Sequence, residues 1–269
     1  MKKQTILITG CSYGGIGYAV AVYLRSIGHN VIASARKESD AQRLRDEGFE
    51  TFQLDVLDYN QVKRVFKEIN DKPLDVLFNN AGYAQPGALE DLPTEHLRSQ
   101  FETNFFALHN ITCIALKKMR KQGYGKIIQH GSVLGIISLR YRGAYNSTKY
   151  AVEGLADTMR QELKGSNIHM VTLNTGPVTS RIRENSLKYI KNINLDGSAH
   201  IEEYNRIKSA DHKPVPFNEE AISVAKVVAK ILVSPKPKPR YGITKFTYIS
   251  YTIKRMFSTR FIDRILSKL

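Results

Sequence analysis

Tyr145 and Lys149 stand four residues apart in the stretch Gly143-Ala144-Tyr145-Asn146-Ser147-Thr148-Lys149. On a helix that spacing puts both side chains on one face, one turn apart. A nearby ammonium favours the phenolate, so a lysine placed there lowers the pKa of the tyrosine. A free phenol titrates near ~10 and needs such help to give and take protons near neutrality. A lone Tyr-x-x-x-Lys is most often just a solvated helix face. Its weight depends on which residues accompany it, and in what order.

The elements that would position this pair can be read along the chain. Thr5-Ile6-Leu7-Ile8-Thr9 is a short apolar strand running into Gly10-Cys11-Ser12-Tyr13-Gly14-Gly15-Ile16-Gly17, and an apolar helix follows, ending at Gly28. Strand, glycine turn and helix in that order is the context of a dinucleotide-binding loop, where backbone N–H groups approach a pyrophosphate. Val31 to Arg36 reads as a second strand. An acid at its end would take a ribose 2′-hydroxyl; this chain has Ser34, Arg36 and Lys37 instead, which favours NADP(H) over NAD(H).

A helix over Asp40–Gly48 leads to a third strand, Thr51–Leu54, ending at Asp55-Val56, and a helix over Gln61–Asn70 follows. A fourth strand, Asp75–Phe78, closes on Asn79-Asn80-Ala81-Gly82, where small residues leave room for a cofactor across the sheet edge. Leu97 to Met119 has helical apolar spacing with Asn104 inside it, and Lys126–His130 is a fifth strand ending at Gly131-Ser132. His130 reads as structural, as lone strand-end histidines mostly are. After the Tyr145 helix, with Val152–Leu163 as its buried apolar part, His169–Asn174 is a sixth strand running into Gly176-Pro177-Val178-Thr179. Strands alternating with helices of this length predict an α/β fold: a single-domain, doubly wound parallel sheet with helices on both faces.

Taken together, Thr9-Gly10…Gly15-Ile16-Gly17, Asp55, Asn79 to Gly82, Asn104, Ser132, Tyr145, Lys149 and Gly176-Pro177…Thr179 resemble the short-chain dehydrogenase/reductase family, over roughly the first two-thirds of the chain. The resemblance implies a Rossmann-fold oxidoreductase moving a hydride between nicotinamide and a carbonyl or hydroxyl carbon. Tyr145 would exchange the proton, Ser132 would steady the oxyanion, Lys149 would lower the phenol and hold the nicotinamide ribose, and Asn104 would hold a water. It further implies cofactor contacts from Gly10, Ser12, Tyr13, Gly15, Ile16 and Gly17, from Arg36, Asp55 and Val56, and from Asn80, Ala81 and Gly82. Tyr145, Lys149, Pro177, Val178 and Thr179 would complete them. The glycine loop is one residue longer than the family pattern, and Tyr13-Gly14 is where the insertion falls. Within the family the chain is most similar to 1-acyl-dihydroxyacetone-phosphate reductases, 17β-hydroxysteroid dehydrogenases and retinol dehydrogenases, which implies a bulky lipophilic substrate. An idle NADP(H)-binding regulator or scaffold on the same fold is the alternative, and an intact proton relay argues against it.

Composition bounds the rest. The 269 residues carry a formal charge of +15, which calls for an anionic partner such as a phosphorylated cofactor or a membrane face. Two separated cysteines, Cys11 and Cys113, make neither a disulfide framework nor a metal site, and fit a reducing, cytoplasmic setting. Apolar runs fall short of a membrane span, and Met1-Lys2-Lys3 leads into a strand rather than a signal peptide.

Residues 1–234 read as the catalytic domain, with a segment around 180–217, carrying short helices near Ser186–Ile193 and Ile201–Ser209, covering the substrate. A last core helix spans Glu219–Leu232. Arg140 and Arg142 read mainly as solvated arginines, with contact to an anionic substrate head as the minor reading. Ser234 to Arg240 is a stiff basic spacer. Residues 235–269 form a basic amphipathic helical extension: Phe246, Ile249, Ile253 and Phe257, then Phe261, Ile265, Leu266 and Leu269, among Lys245, Lys254, Arg255, Arg260, Arg264 and Lys268. That pattern suits an anionic membrane surface, and a cover over the cleft or a dimer interface is the competing reading. No nucleic-acid motif accompanies the charge, and a homodimer or homotetramer is the expected assembly.

Overall fold

The computed structural model describes residues 2–191, 193–209 and 216–267. Residues 210–215 of the expected substrate-covering segment, and Lys268 and Leu269 of the tail, lie outside the described residues.

Seven parallel strands form one sheet: β1 (Thr5–Ile8), β2 (Asn30–Ala35), β3 (Glu50–Gln53), β4 (Val76–Asn79), β5 (Gly125–Ser132), β6 (Ile168–Thr175) and β7 (Arg240–Gly242). Their order across the sheet is β3-β2-β1-β4-β5-β6-β7. The order reverses between β1 and β4, and the crevice outside the carboxyl ends of those strands is where ligands of such sheets bind. Helices cover both faces, which is why β1 and β4 are buried at every position instead of alternating. On one face α1 (Ile16–Ser26), α2 (Glu38–Asp46) and α9 (Ala221–Val233) contribute Val20, Leu24, Leu44, Val224, Val228 and Ile231 to the core. On the other, α3 (Tyr59–Glu68), α5 (Ala107–Gln122) and α6 (Gly143–Glu162) contribute Val65, Ile111, Met119, Ala156 and Met159. The expected fold is the observed one.

Three local features differ from the sequence reading. The helix expected over Leu97–Met119 is α4 (Thr94–Phe101) running into α5 through a π-turn at Glu102–Phe106, with Asn104 in the turn. A π-turn adds a residue to the ladder and so re-aims side chains; such turns recur at functional sites. The fifth strand extends through Ser132, so the serine sits on the sheet rather than in the loop after it. The basic spacer leads directly into β7, where Thr172 N–H donates to Pro239 O at 2.9 Å and Ile243 N–H to Asn174 O at 3.1 Å. Prolines are tolerated there because β7 is an edge strand. The sheet therefore runs past residue 234, and the tail helices α10 (Lys245–Met256) and α11 (Thr259–Leu266) begin at Lys245. Between β6 and α9 the chain forms α7 (Ile182–Ile190) and α8 (Ile201–Ser209).

Candidate active site

Four side chains from three parts of the chain meet at the carboxyl end of β5. Asn104 (1% exposed), Ser132 (6%) and Lys149 (7%) are buried, while Tyr145 is partly open. Tyr145 and Lys149 lie one turn apart on α6 as expected, with the ammonium 5.4 Å from the phenol ring centre. Ser132 is held by the N–H of Leu134, which donates to its Oγ at 3.1 Å. Lys149 Nζ donates to the carbonyl of His130 at 2.6 Å, fixing the ammonium beside the strand end. Asn104 Nδ2 donates to Tyr83 O at 2.9 Å and its Oδ1 accepts from Tyr83 N–H at 3.1 Å, while Thr148 Oγ1 lies 3.4 Å away. Its side chain thus clamps the segment after β4. Its Oδ1 accepts one hydrogen bond and keeps a second lone pair for a water.

Electrostatics follow from burial. Burial pushes the Tyr145 phenol up to about 12, against a hydrogen bond from Ser132 and the charge of Arg142, both of which pull it down. The sequence reading gave that task to Lys149 alone. Arg142, at the start of α6, is half-buried, and burial followed by the nearby Arg183 lowers its own pKa. Lys149 is brought down to about 8 by burial, with the Glu153 carboxylate opposing the fall. Glu153, one turn further along α6, accepts from Asn174 Nδ2 at 2.6 Å and Arg240 Nε at 2.8 Å. Asn174 also donates to Ser132 O at 3.1 Å and accepts from Tyr251 Oη at 2.8 Å. A buried chain therefore joins α10, β6, β7 and α6 beneath the reacting groups. His130 is structural, as expected: its ring nitrogens face Asn80 Oδ1 at 2.9 Å and Thr175 Oγ1 at 3.1 Å, and burial drives it down to about 3.

The residues expected to hold a cofactor line the same edge of the sheet. Gly10 has φ +75°, and a Cβ there would meet Ala81 Cα at 2.8 Å, so only glycine lets the loop lie against the end of β4. Asn80 Nδ2 donates to Thr9 O and Gly10 O, both at 2.9 Å, and Thr9 Oγ1 accepts from the N–H groups of Asn80 and Ala81. Gly82 abuts Asn104 Oδ1. Gly15 gives α1 no side-chain cap, which leaves the first N–H groups after Gly15, from Ile16 and Gly17 on, open toward an anion. Ser12 is partly exposed, and Tyr13, in the inserted position, is exposed and leans on α2, with Arg43 4.7 Å over its ring.

Arg36 is exposed at the end of β2, where an adenosine 2′-phosphate would fall. Val56 lines a crevice with Thr9, Asn79 and Ala81, while Asp55 Oδ1 accepts from Leu57 N–H and shapes the turn before α3. Pro177 O accepts from Glu219 N–H, and Val178 is buried beside that residue. Thr179 Oγ1 is engaged with Asn218 and Glu220. The next residue, Ser180, has a buried Oγ without a partner among the described residues. An orphaned hydroxyl there fits a polar group bound beside this turn. Glu153 and Ser180 were missed in sequence, and Arg142, read there mainly as solvated, is half-buried near the phenol. The one available signal was a carboxylate, Glu153, one turn after Lys149 and flanked by Val152 and Ala156.

Around the phenol the wall is apolar. Val133, Leu134 and Ile137 are buried, and Leu139, Phe246 of α10 and Leu266 of α11 pack on them together with Tyr145. Tyr83, held by Asn104, meets Tyr189 with ring centroids 4.8 Å apart and the planes tilted by 36°.

The family profile described as short chain dehydrogenase matches residues 4–190. An oxidoreductase of Escherichia coli (strain K12), YbbO, is 33% identical over 269 residues, covering 99% of this chain and 95% of its own. The NADPH-dependent 3-dehydrocapnine reductase of Ornithobacterium rhinotracheale is 30% identical, covering 97% and 95%. Among solved structures, ElxO with NADP bound superposes with a TM-score of 0.72 at 26% identity, covering 90% of this chain and 97% of that one. With Asn104, Ser132, Tyr145 and Lys149 gathered at the sheet edge and residues 4–190 matching the profile, the chain belongs to the short-chain dehydrogenase family.

Proposed function

We propose that this NADP(H)-dependent oxidoreductase reduces a ketone, or oxidises the matching alcohol, on a bulky lipophilic molecule. One observation carries the reading. The Tyr145 phenol stands where the buried polar groups meet the apolar wall of Val133, Leu134, Ile137, Leu139, Phe246 and Leu266. An ordinary polar metabolite would gain nothing from that wall, whereas a hydrocarbon chain buries surface on it at roughly 25 cal/mol per Å². The NADPH-dependent reductase named above, similar over nearly the whole chain, supports the direction of reduction.

When bound, the nicotinamide supplies the hydride. Tyr145 donates the proton to the carbonyl oxygen, and burial, which raises its pKa to about 12, favours the protonated form that the donation requires. Ser132 Oγ–H donates to the same oxygen and steadies the negative charge that develops on it. Lys149, fixed through His130 O, presents its ammonium to the phenol side of the site. Arg142 places positive charge beside the phenol, with Arg183 near Arg142 in turn, which favours a substrate with an anionic head such as an acyl-dihydroxyacetone phosphate.

The test is NADPH consumption over long-chain ketones, acyl-dihydroxyacetone phosphate, retinal and keto-steroids. Turnover of at least one lipophilic ketone, well above that of short polar ketones, is expected. Tight NADPH binding with no turnover on any of them would instead make the chain an idle binding protein.

A further inference from the structure

The positive charge of the chain is concentrated at one end. From residue 235 onward there are nine Lys or Arg and a single acid, Asp263, so this segment holds eight of the fifteen net charges. Among the described residues one of the nine, Arg240, is neutralised by Glu153 and Asp157. Lys245, Lys254, Arg255, Arg260 and Arg264 are exposed.

The two helices carrying them are two-sided. Their inner side is docked: Thr247, Ser250 and Ile262 are buried, Phe246 and Leu266 pack on the wall beside Tyr145, and Tyr251 is hydrogen-bonded to Asn174. Their outer side is apolar and uncovered: Met256 is 71% exposed, Tyr248 56%, Phe257 44%, Ile249 42%, Phe261 42% and Ile265 38%. Phe257 and Phe261 stack with centroids 4.6 Å apart across the turn between the helices. Single exposed apolar residues need no explanation, but six within eighteen positions do. A second copy of the chain would bring five unpaired positive charges against five more. A nucleic acid would match the charge and leave Met256, Ile249 and Ile265 in water.

We propose that the outer side of α10 and α11 docks on an anionic bilayer surface, with the aromatic and aliphatic side chains below the headgroups and the basic ones among them. No helix among the described residues is long and apolar enough to cross a membrane, so the contact is interfacial. Because the inner side of the same helices walls the cleft beside Tyr145, docking brings the cleft mouth to the acyl layer. A lipophilic ketone then enters without crossing water. The docking stands on its own, while the entry route rests on the proposed substrate class.

Flotation of the full-length protein is compared on vesicles of phosphatidylcholine alone and of equal parts phosphatidylcholine and phosphatidylglycerol. The anionic vesicles should carry the protein, the neutral ones far less, and added salt should release it. Arg260→Gln with Arg264→Gln should weaken partition about 25-fold, at about five-fold for each basic side chain near such a surface. Phe257→Ser with Phe261→Ser should weaken it at least tenfold while thermal midpoint and NADPH affinity stay at wild-type values, because both rings face solvent. No flotation, equal flotation on both vesicles, or undiminished flotation of either double variant overturns the proposal. So does a concentration-dependent dimer that Phe257→Ser with Phe261→Ser disperses in the absence of vesicle binding.

Discussion

Glu153 and Arg240 should tune Lys149 in opposite directions. Lys149 and Glu153 are one helical turn apart, so their charges are separated by roughly 6 Å. At an effective dielectric of about 20 that attraction is ~3 kcal/mol, or about two pH units on the lysine. Arg240 sits on the same carboxylate at 2.8 Å and offsets part of it, which leaves about one unit. Glu153→Gln keeps the shape and can still accept from Asn174, but removes the charge that holds Lys149 up. The lysine, already down to about 8, should then titrate about one unit lower. Arg240→Gln leaves Glu153 uncompensated by that guanidinium and should move Lys149 upward instead.

The assay is the alkaline limb of kcat/KM for ketone reduction at saturating NADPH, since the relay needs Lys149 protonated. Glu153→Gln should bring the limb to lower pH and Arg240→Gln should carry it higher. Thermal melts report the separate stability penalty of breaking a half-buried pair, between the about 1 kcal/mol of an exposed pair and the about 3 kcal/mol of a fully buried one. A purely structural role lowers the amplitude of both profiles and leaves the limbs where they were. Limbs that stay put, or that move in the same direction, would refute the reasoning.

Other outcomes follow from the same geometry. His130, at about 3 when folded and about 6.5 when unfolded, binds fewer protons in the folded state between those values. Stability should therefore be full above about pH 6.5 and fall at ~1.4 kcal/mol per unit below it, and His130→Asn should flatten that slope in pH-dependent denaturation. Arg36→Glu should weaken NADPH by about 10- to 100-fold, consistent with loss of a charge-assisted phosphate contact, and leave NADH nearly unchanged in fluorescence titrations. Gly17→Ala would put a Cβ 2.5 Å from Asn80 Nδ2 and 2.6 Å from Gly10 O. Overpacking of that kind costs about 1–3 kcal/mol, which should appear as a lowered melting temperature together with weaker NADPH binding.

The parts of this protein that were legible in sequence are those with local signatures. Buried parallel strands read as apolar runs, the glycine turn after β1 announces itself, and Tyr145 and Lys149 share a helix face at any register. The parts that were not legible depend on partners distant in the chain. Three-residue β7 pairs with β6 only because the sheet has a free edge there, and its Pro-Lys-Pro-Lys-Pro approach looks like a spacer. The π-turn at Asn104 leaves the apolar spacing of the surrounding helix intact, so nothing in the residue pattern betrays it. Glu153 is one of three acids along its helix, with Asp157 and Glu162, and its importance appears only once Asn174 and Arg240 arrive from β6 and β7. Whether Thr179 or Ser180 offers a free hydroxyl was decided by Asn218 and Glu220, some forty residues away.

The account stands on the proton that the phenol at the cleft wall delivers. Tyr145→Phe removes one oxygen and leaves the glycine loop, Arg36 and the sheet edge untouched. NADPH binding by titration should be unchanged, while turnover of the best lipophilic ketone falls by about 10²–10⁴, the range for losing a positioned general acid. Turnover that persists at the wild-type rate with NADPH bound would contradict it.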